Sequence, residues 1–359
     1  MKIAVACGGT GGHVFPGLST AKALQERGHE VTLWLAGRDV EAASLDGWQG
    51  RTVFVKSVGF SDAPSLREVS GLLRMGGSVL SAHLEMMKRR PDALLAMGGY
   101  ASVGPVLAAR GLGVPYVLHE ANAVPGRAVS WLEKSAAAVG VGFEAAAEHL
   151  RNRRVVVTGF PVRSDLDGTL DNEDLQPGVF TVMVTGGSQG ALRLDDVASS
   201  ALCLLRQRGI EVQTIHLARQ ENREWIIERY SGSRVAGPVY GFLKEMGGAY
   251  NSSDLAVARA GAGTCAELRA CRLPALLVPL PSARRNHQML NAMVMKDAGM
   301  ADVVEQSRFN TTWLAEYLTG LIRCPLRLAA MKRAMEESPE PDAAARLADL
   351  VEACAKKRG

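Results

Sequence analysis

Ile3-Ala4-Val5-Ala6-Cys7-Gly8-Gly9-Thr10-Gly11-Gly12-His13 is the stretch that decides the fold. An apolar run breaks into glycines and gives way to a helical pattern, as when a buried parallel strand turns tightly into a helix. Glycines let the backbone bend sharply and let a ligand approach it closely. The start of a helix offers unpaired N–H groups and a partial positive charge, which suits phosphate. Phe180-Thr181-Val182-Met183-Val184 followed by Gly186-Gly187-Ser188-Gln189-Gly190-Ala191 repeats the unit. Two such units predict two nucleotide-type half-domains facing one cleft.

The pattern around them alternates strand and helix, which predicts an α/β chain with parallel sheets and helices on both faces. In the first half, strands are predicted near 2–7, 30–36, 51–58, 92–97, 115–119, 137–142 and 155–158. Helices are predicted near 15–27, 66–89, 101–110, 125–135 and 144–150, with Pro16 in a first helical turn, where proline is tolerated. Thr158-Gly159-Phe160-Pro161-Val162 reads as the crossing, so the domains are expected at 1–160 and 161–340. A last amphipathic helix, about 341–357, is expected to pack back on the first. The second half restarts with strands near 179–185, 211–217, 234–239, 254–258 and 274–279.

Composition narrows the function class. A chain of 359 residues with 47% hydrophobic and 22% charged residues suits two ordinary cores. Residues 1–160 carry 17 Lys and Arg against 13 Asp and Glu, and the remainder 24 of each, so the net +4 lies in the first half. That excess is too thin for a nucleic-acid binder and fits an anionic membrane surface or a phosphate-bearing substrate. Six scattered cysteines without a CxxC pair, and no recognisable signal peptide, predict a reducing cytoplasm. No apolar run reaches the ~18 residues needed to span a bilayer, so membrane contact is expected to be peripheral.

The first loop departs from the dinucleotide fingerprint. Val14 stands where the third glycine belongs, and Leu33-Trp34-Leu35-Ala36 lacks the acid that would hold a ribose. No Gly-Lys-Ser/Thr follows, so it is not a P-loop. It is either a generic tight turn or a turn that presents His13 as a general base. Met97-Gly98-Gly99-Tyr100 and His119-Glu120-Ala121-Asn122 follow further strands, and ligands bind beyond the carboxyl ends of such strands. Arg259-Ala260-Gly261-Ala262-Gly263-Thr264 repeats the logic. Glu267 beyond it either accepts bonds from ribose hydroxyls or complements a helix dipole. Arg285-Asn286-His287-Gln288 is either a sugar-binding cluster or a solvated helix start. Asp165-Leu166-Asp167 has a metal-binding look but sits at the crossing and is read as chance, so no essential metal is expected.

GGTGGHVFPGL (8–18), MGGY (97–100), HEAN (119–122), GFPVR (159–163), GGSQGA (186–191), RAGAGTCAEL (259–268) and HQxxNA (287–292) follow one another across nearly the whole chain. In that order they resemble the MurG family, the peptidoglycan N-acetylglucosaminyltransferases that convert lipid I to lipid II. The resemblance implies a GT-B fold, two Rossmann-like domains with a deep cleft between them. It implies UDP-GlcNAc as donor on the second domain, undecaprenyl-linked lipid I as acceptor, and a place on the cytoplasmic face of the plasma membrane. Further cell-wall synthesis proteins are possible partners, and nucleic acid is not one.

Residue by residue, the resemblance implies that Glu267 holds the ribose, with Ala262, Gly263 and Thr264 beside it. Ser188, Gln189 and Gly190 would meet the diphosphate, with Arg163 adding charge. His287 and Gln288 would touch GlcNAc, and Thr10, Gly11, Gly12 and Asn122 would reach the donor from the other side. His13 is the implied base. Gly8, Gly9, Gly98, Gly99, Tyr100, His119 and Glu120 would meet the acceptor. Ala121 departs from the family's HEQN, and Arg285-Asn286-His287-Gln288 departs from its usual glutamine pair.

Residues 66–90 combine Leu66, Val69, Leu72, Leu73, Val79, Leu80, Leu84, Met86 and Met87 with Arg67, Arg74, Lys88, Arg89 and Arg90. That is either a membrane-docking face or an ordinary half-buried helix. Rival functions are another GT-B enzyme (a UDP-GlcNAc epimerase, or a transferase with a different lipid acceptor) and a non-catalytic scaffold. A nicotinamide oxidoreductase is disfavoured by the missing fingerprint.

Overall fold

The structure, a computed structural model, describes residues 1–38, 41, 45, 47–55, 67–187, 190–338 and 342–355, with 67–74 described by backbone alone. The chain forms two compact units, Met1–Arg163 with Pro341–Gly359, and Ser164–Glu340.

The first unit runs β1 (Lys2–Ala6), α1 (Gly11–Glu26), β2 (Glu30–Leu35), β3 (Arg51–Phe54), α2 (Arg67–Lys88), β4 (Ala93–Ala96), α3 (Val103–Gly111), β5 (Tyr116–Glu120), α4 (Arg127–Leu132), β6 (Ala138–Val141) and β7 (Val155–Val157). The second runs β8 (Thr181–Thr185), α5 (Leu192–Gln207), β9 (Gln213–Leu217), α6 (Arg223–Ser233), β10 (Val239–Tyr240), α7 (Met246–Asn251), β11 (Leu255–Ala258), α8 (Ala262–Ala270), β12 (Ala275–Leu277), α9 (His287–Asp297), β13 (Ala301–Val303), α10 (Thr311–Arg323) and α11 (Leu326–Glu337). The last helix, α12 (Ala343–Ala355), belongs to the first unit.

Every strand pairing is parallel. The sheets run β3-β2-β1-β4-β5-β6-β7 and β10-β9-β8-β11-β12-β13. The order reverses at β1/β4 and again at β8/β11. A crevice opens at such a reversal beyond the carboxyl ends of the strands, which is where ligands of open α/β sheets bind. Gly8 and Gly98 follow the strands at the first reversal; Gly186 and Gly261 follow those at the second. Burial on both faces explains the largely apolar strands: all residues of β4, β5, β6, β8 and β11 are buried, including the polar His119 and Glu120 that end β5.

Several boundaries differ from the sequence reading. Helix α1 begins at Gly11 rather than near 15, so Pro16 lies inside it. Proline lacks the N–H that would bond to the Gly12 carbonyl, and the helix tolerates the loss one turn from its start. Residues Glu144–His149 form a 3₁₀ segment. The strand expected at 234–239 shrinks to Val239–Tyr240. A β-carbon at Gly237 would fall 1.9 Å from the Thr214 carbonyl oxygen, and Pro238 has no N–H to give the ladder. Strand β13 escaped prediction because Asp302 breaks its three residues and leaves no apolar run. The fingerprint's missing third glycine turns up as Gly17, where a β-carbon would lie 2.2 Å from Cys7 Cβ. Gly17 thus brings α1 onto the end of β1.

Helix α12 supplies one wall of the first core. Leu347, Ala348, Leu350 and Val351 pack with Ile3, Val5, Leu33 and Leu95. At its edge Arg27 Nη1 donates to Asp349 at 2.7 Å and the His29 ring meets Glu352 at 2.6 Å. On the opposite sheet face Ala82 and Met86 of α2 join Val103 and Val106 of α3 and Leu132 of α4. Leu347 is fully buried, so Leu347→Ala should destabilise the protein by about 2–5 kcal/mol. Urea denaturation followed by circular dichroism measures it.

Candidate functional site

In the first unit the site grows from the start of α1. Thr10 precedes the helix, yet its hydroxyl caps no backbone N–H. It lies 3.0 Å from His13 Nδ1 instead, while the Thr10 carbonyl accepts from the N–H groups of His13 and Val14. The imidazole is therefore held by the residue that would otherwise cap the helix. Its ring lies against the glycines after β4: a β-carbon at Gly99 would fall 3.2 Å from His13 Nε2 and one at Gly98 3.8 Å from it. Both glycines have positive φ, 83° and 70°, which other residues rarely adopt. MGGY is thus a ledge cut to the shape of the ring. Burial lowers the His13 pKa from its usual 6.5 to about 4, so the imidazole is neutral at pH 7. In the tautomer whose Nδ1–H donates to Thr10 Oγ1, Nε2 carries the free lone pair. Two residues on, Phe15 takes the Arg163 guanidinium over its ring at 4.1 Å.

Three carboxyl or imidazole groups turn out to hold backbone. Glu41, unremarked in the sequence, is fully buried. It accepts from the N–H groups of Gly9 at 2.7 Å, Ala36 at 3.2 Å, Gly37 at 2.7 Å and Arg38 at 3.1 Å. The Gly9 N–H, expected to face the acceptor, is committed to this carboxylate. Gly8 is a packing position, where a β-carbon would lie 2.6 Å from the Ala36 nitrogen. His119 and Glu120, also expected to face the acceptor, are both buried. His119 Nε2–H donates to the Gly159 carbonyl at 3.0 Å, and burial lowers its pKa to about 4. Glu120 accepts from the N–H and side-chain amide of Asn122 and from the N–H of Gly126 at 2.8 Å. Glu120 therefore shapes the loop that carries Asn122. Tyr100 opens a short 3₁₀ turn after the glycine ledge and is half-buried.

In the second unit, Gly261 precedes α8, and Ala262, Gly263 and Thr264 form its first turn. Buried Arg259 bonds the carbonyls of Val278 and Pro279 and Gln306 Oε1, and Asn291 Nδ2 donates to the Ala260 carbonyl. The loop is thus fixed from below. Glu267 is half-buried and accepts from Tyr250 Oη at 2.7 Å. Tyr250 is itself 2% exposed and orients that carboxylate.

Past β12, Arg285 and Asn286 both adopt left-handed φ, 52° and 55°. Such conformations cost energy in residues with a β-carbon and gather at working sites. They deliver His287 and Gln288 to the first turn of α9. His287 Nδ1–H donates to the Arg284 carbonyl at 2.7 Å, leaving Nε2 as an acceptor. Gln288 Oε1 accepts from the Leu280 N–H at 2.9 Å, leaving its NH₂ as a donor. An acceptor beside a donor matches sugar hydroxyls, which do both. Ser188 and Gln189 lie outside the described residues; Gly190 closes their loop with φ +63°.

Among the described residues no group of His, Cys, Asp or Glu is arranged to hold a metal ion, and no helix is long and apolar enough to cross a membrane. Leu66 lies outside the described residues, and of Arg67, Val69, Leu72, Leu73 and Arg74 only the backbone is described. Leu80, Leu84 and Met87 form an exposed row on α2, whereas Met86 is fully buried in the core and Val79 half-buried. Lys88 pairs with Glu85, Arg89 with Glu30, and Arg90 donates to the Leu112 carbonyl.

Both His13 and His119 have a folded pKa near 4, against 6.5 in the open chain. The unfolded chain therefore takes up protons first as pH falls, and stability should drop from about pH 6.5 towards pH 4. Denaturation midpoints across that range measure the slope, which should be shallower in His13→Ala.

Comparison with known proteins identifies the family of the two units. Residues 3–141 match the glycosyltransferase family 28 N-terminal domain and residues 181–347 the family's C-terminal domain. An N-acetylglucosamine transferase from Halorhodospira halophila is 38% identical over 98% of this chain and 97% of its own length. The corresponding protein of Agrobacterium fabrum is 34% identical over 99% and 95%. The crystal structure of Acinetobacter baumannii MurG superposes with a TM-score of 0.78 at 28% identity, covering 98% of this chain and 99% of that one. The expected GT-B class and hexosyltransferase activity stand with that likeness. The chain belongs to the MurG family, the UDP-N-acetylglucosamine–N-acetylmuramyl-(pentapeptide) pyrophosphoryl-undecaprenol N-acetylglucosamine transferases.

Proposed function

We propose that this enzyme transfers GlcNAc from UDP-GlcNAc to the C4 hydroxyl of MurNAc in lipid I, with inversion, to form lipid II. The observation that carries the mechanism is the neutral His13 imidazole seated on the Gly98–Gly99 ledge with Nδ1 taken by Thr10. The MurNAc C4 oxygen attacks the anomeric carbon of the donor, and its proton passes to His13 Nε2. The bond to the β-phosphate oxygen breaks with its electron pair, and UDP leaves. An α-linked donor then gives a β-linked product. The start of α5 and the guanidinium of Arg163 supply positive potential for the departing diphosphate. Glu267, fixed by Tyr250, suits the ribose hydroxyls, and His287 with Gln288 suits those of GlcNAc.

The acceptor carries a long lipid, so the enzyme must work at a membrane surface. The exposed row Leu80, Leu84 and Met87 with Lys88, Arg89 and Arg90 at the end of α2 supports peripheral docking on the anionic cytoplasmic face. The ion pairs of Lys88 and Arg89 temper that charge, so apolar insertion carries more of the binding.

UDP release is measured with and without a short-chain lipid I analogue, in EDTA. Acceptor-dependent release is expected; release without acceptor would favour an epimerase or hydrolase, and a need for added divalent ion would overturn metal independence. His13→Ala should lower turnover by about 10²–10⁴-fold with UDP affinity little changed, and near-normal turnover would remove His13 as base. Leu84→Glu should weaken binding to vesicles containing anionic lipid in a flotation assay. Equal flotation of variant and wild type would mean that α2 does not dock.

A further inference from the structure

Arg219 follows β9, the strand beside β8, and belongs to none of the motifs above. Its stem lies across the second glycine loop. A β-carbon at Gly190 would fall 2.0 Å from Arg219 Cγ and 2.7 Å from Cδ, so the stem occupies the space that any side chain at 190 would need. This explains the glycine beyond its positive φ. The side chain as a whole is 54% exposed, and Nε meets Glu221 at 3.0 Å. Glu221 is 60% exposed in turn. An ion pair this open contributes little and is readily exchanged for another anion. A guanidinium keeps its charge at any relevant pH and matches phosphate oxygens in a planar fork.

We propose that Arg219 is a ligand of the donor's diphosphate, exchanging Glu221 for phosphate oxygen when the sugar nucleotide binds. This rests on the reading of the second unit as the donor half. The glycine loop and the start of α5 provide N–H groups; Arg219 adds a full charge where negative charge builds as the anomeric bond breaks. Its place over Gly190 fixes the stem, so less freedom is lost on binding. The residue thereby selects for a nucleoside diphosphate over the bare nucleoside.

Equilibrium binding of UDP and of uridine to the full-length protein tests this. Arg219→Met keeps a stem over Gly190 and removes the charge. It should weaken UDP by about 10-fold or more while leaving uridine unchanged. Arg219→Lys should recover part of the loss, and Glu221→Gln should tighten UDP. Wild-type affinity for UDP in Arg219→Met, or equal loss of UDP and uridine, would overturn the assignment. In the first case the stem alone matters, and in the second the loop has been disturbed. Failure of the wild-type protein to bind UDP better than uridine would instead sink the donor reading, and this inference with it.

Discussion

A buried carboxylate must be satisfied or it costs several kcal/mol, and the first half-site is built around that demand. Glu41 finds four backbone N–H partners, three at the end of β2 and one at Gly9. Those bonds fix the bend by which the chain leaves β1. The bend fixes where α1 starts, and the start of α1 fixes His13 over the glycines of the neighbouring strand. Geometry at the imidazole thus depends on an acid more than twenty residues away in sequence.

The two units share one strand–glycine–helix plan and one strand order, yet they treat the loop in opposite ways. In the first, a carboxylate accepts from the Gly9 N–H, and the turn mounts a neutral imidazole. In the second, an arginine stem lies over the last glycine. The same backbone seats an imidazole in one copy and carries an arginine stem in the other.

Much of this was legible in the sequence because it is local. Alternating apolar runs and glycine turns gave both sheets, and the spacing of His13 from the glycines marked its loop. Contacts between distant segments were not legible. Glu41, Tyr250 and Arg219 act on Gly9, Glu267 and Gly190 across the fold, and nothing near them in sequence signals it. His119 and Glu120, expected to meet the acceptor, show the same limit. Polar residues at a strand end look alike whether they face a ligand or tie down a neighbouring loop, and these two bond to Gly159, Asn122 and Gly126.

Helix α12 carries a consequence for synthesis of the chain. Its apolar side closes a sheet face formed by strands near the other terminus. While a ribosome works through the second unit, Val5, Leu33 and Leu95 have no helix to cover that part of their layer. The nascent first unit must wait with a sticky face until α12 emerges. A truncated product lacking its last turns would expose that face permanently, making it a natural target for chaperones and proteases.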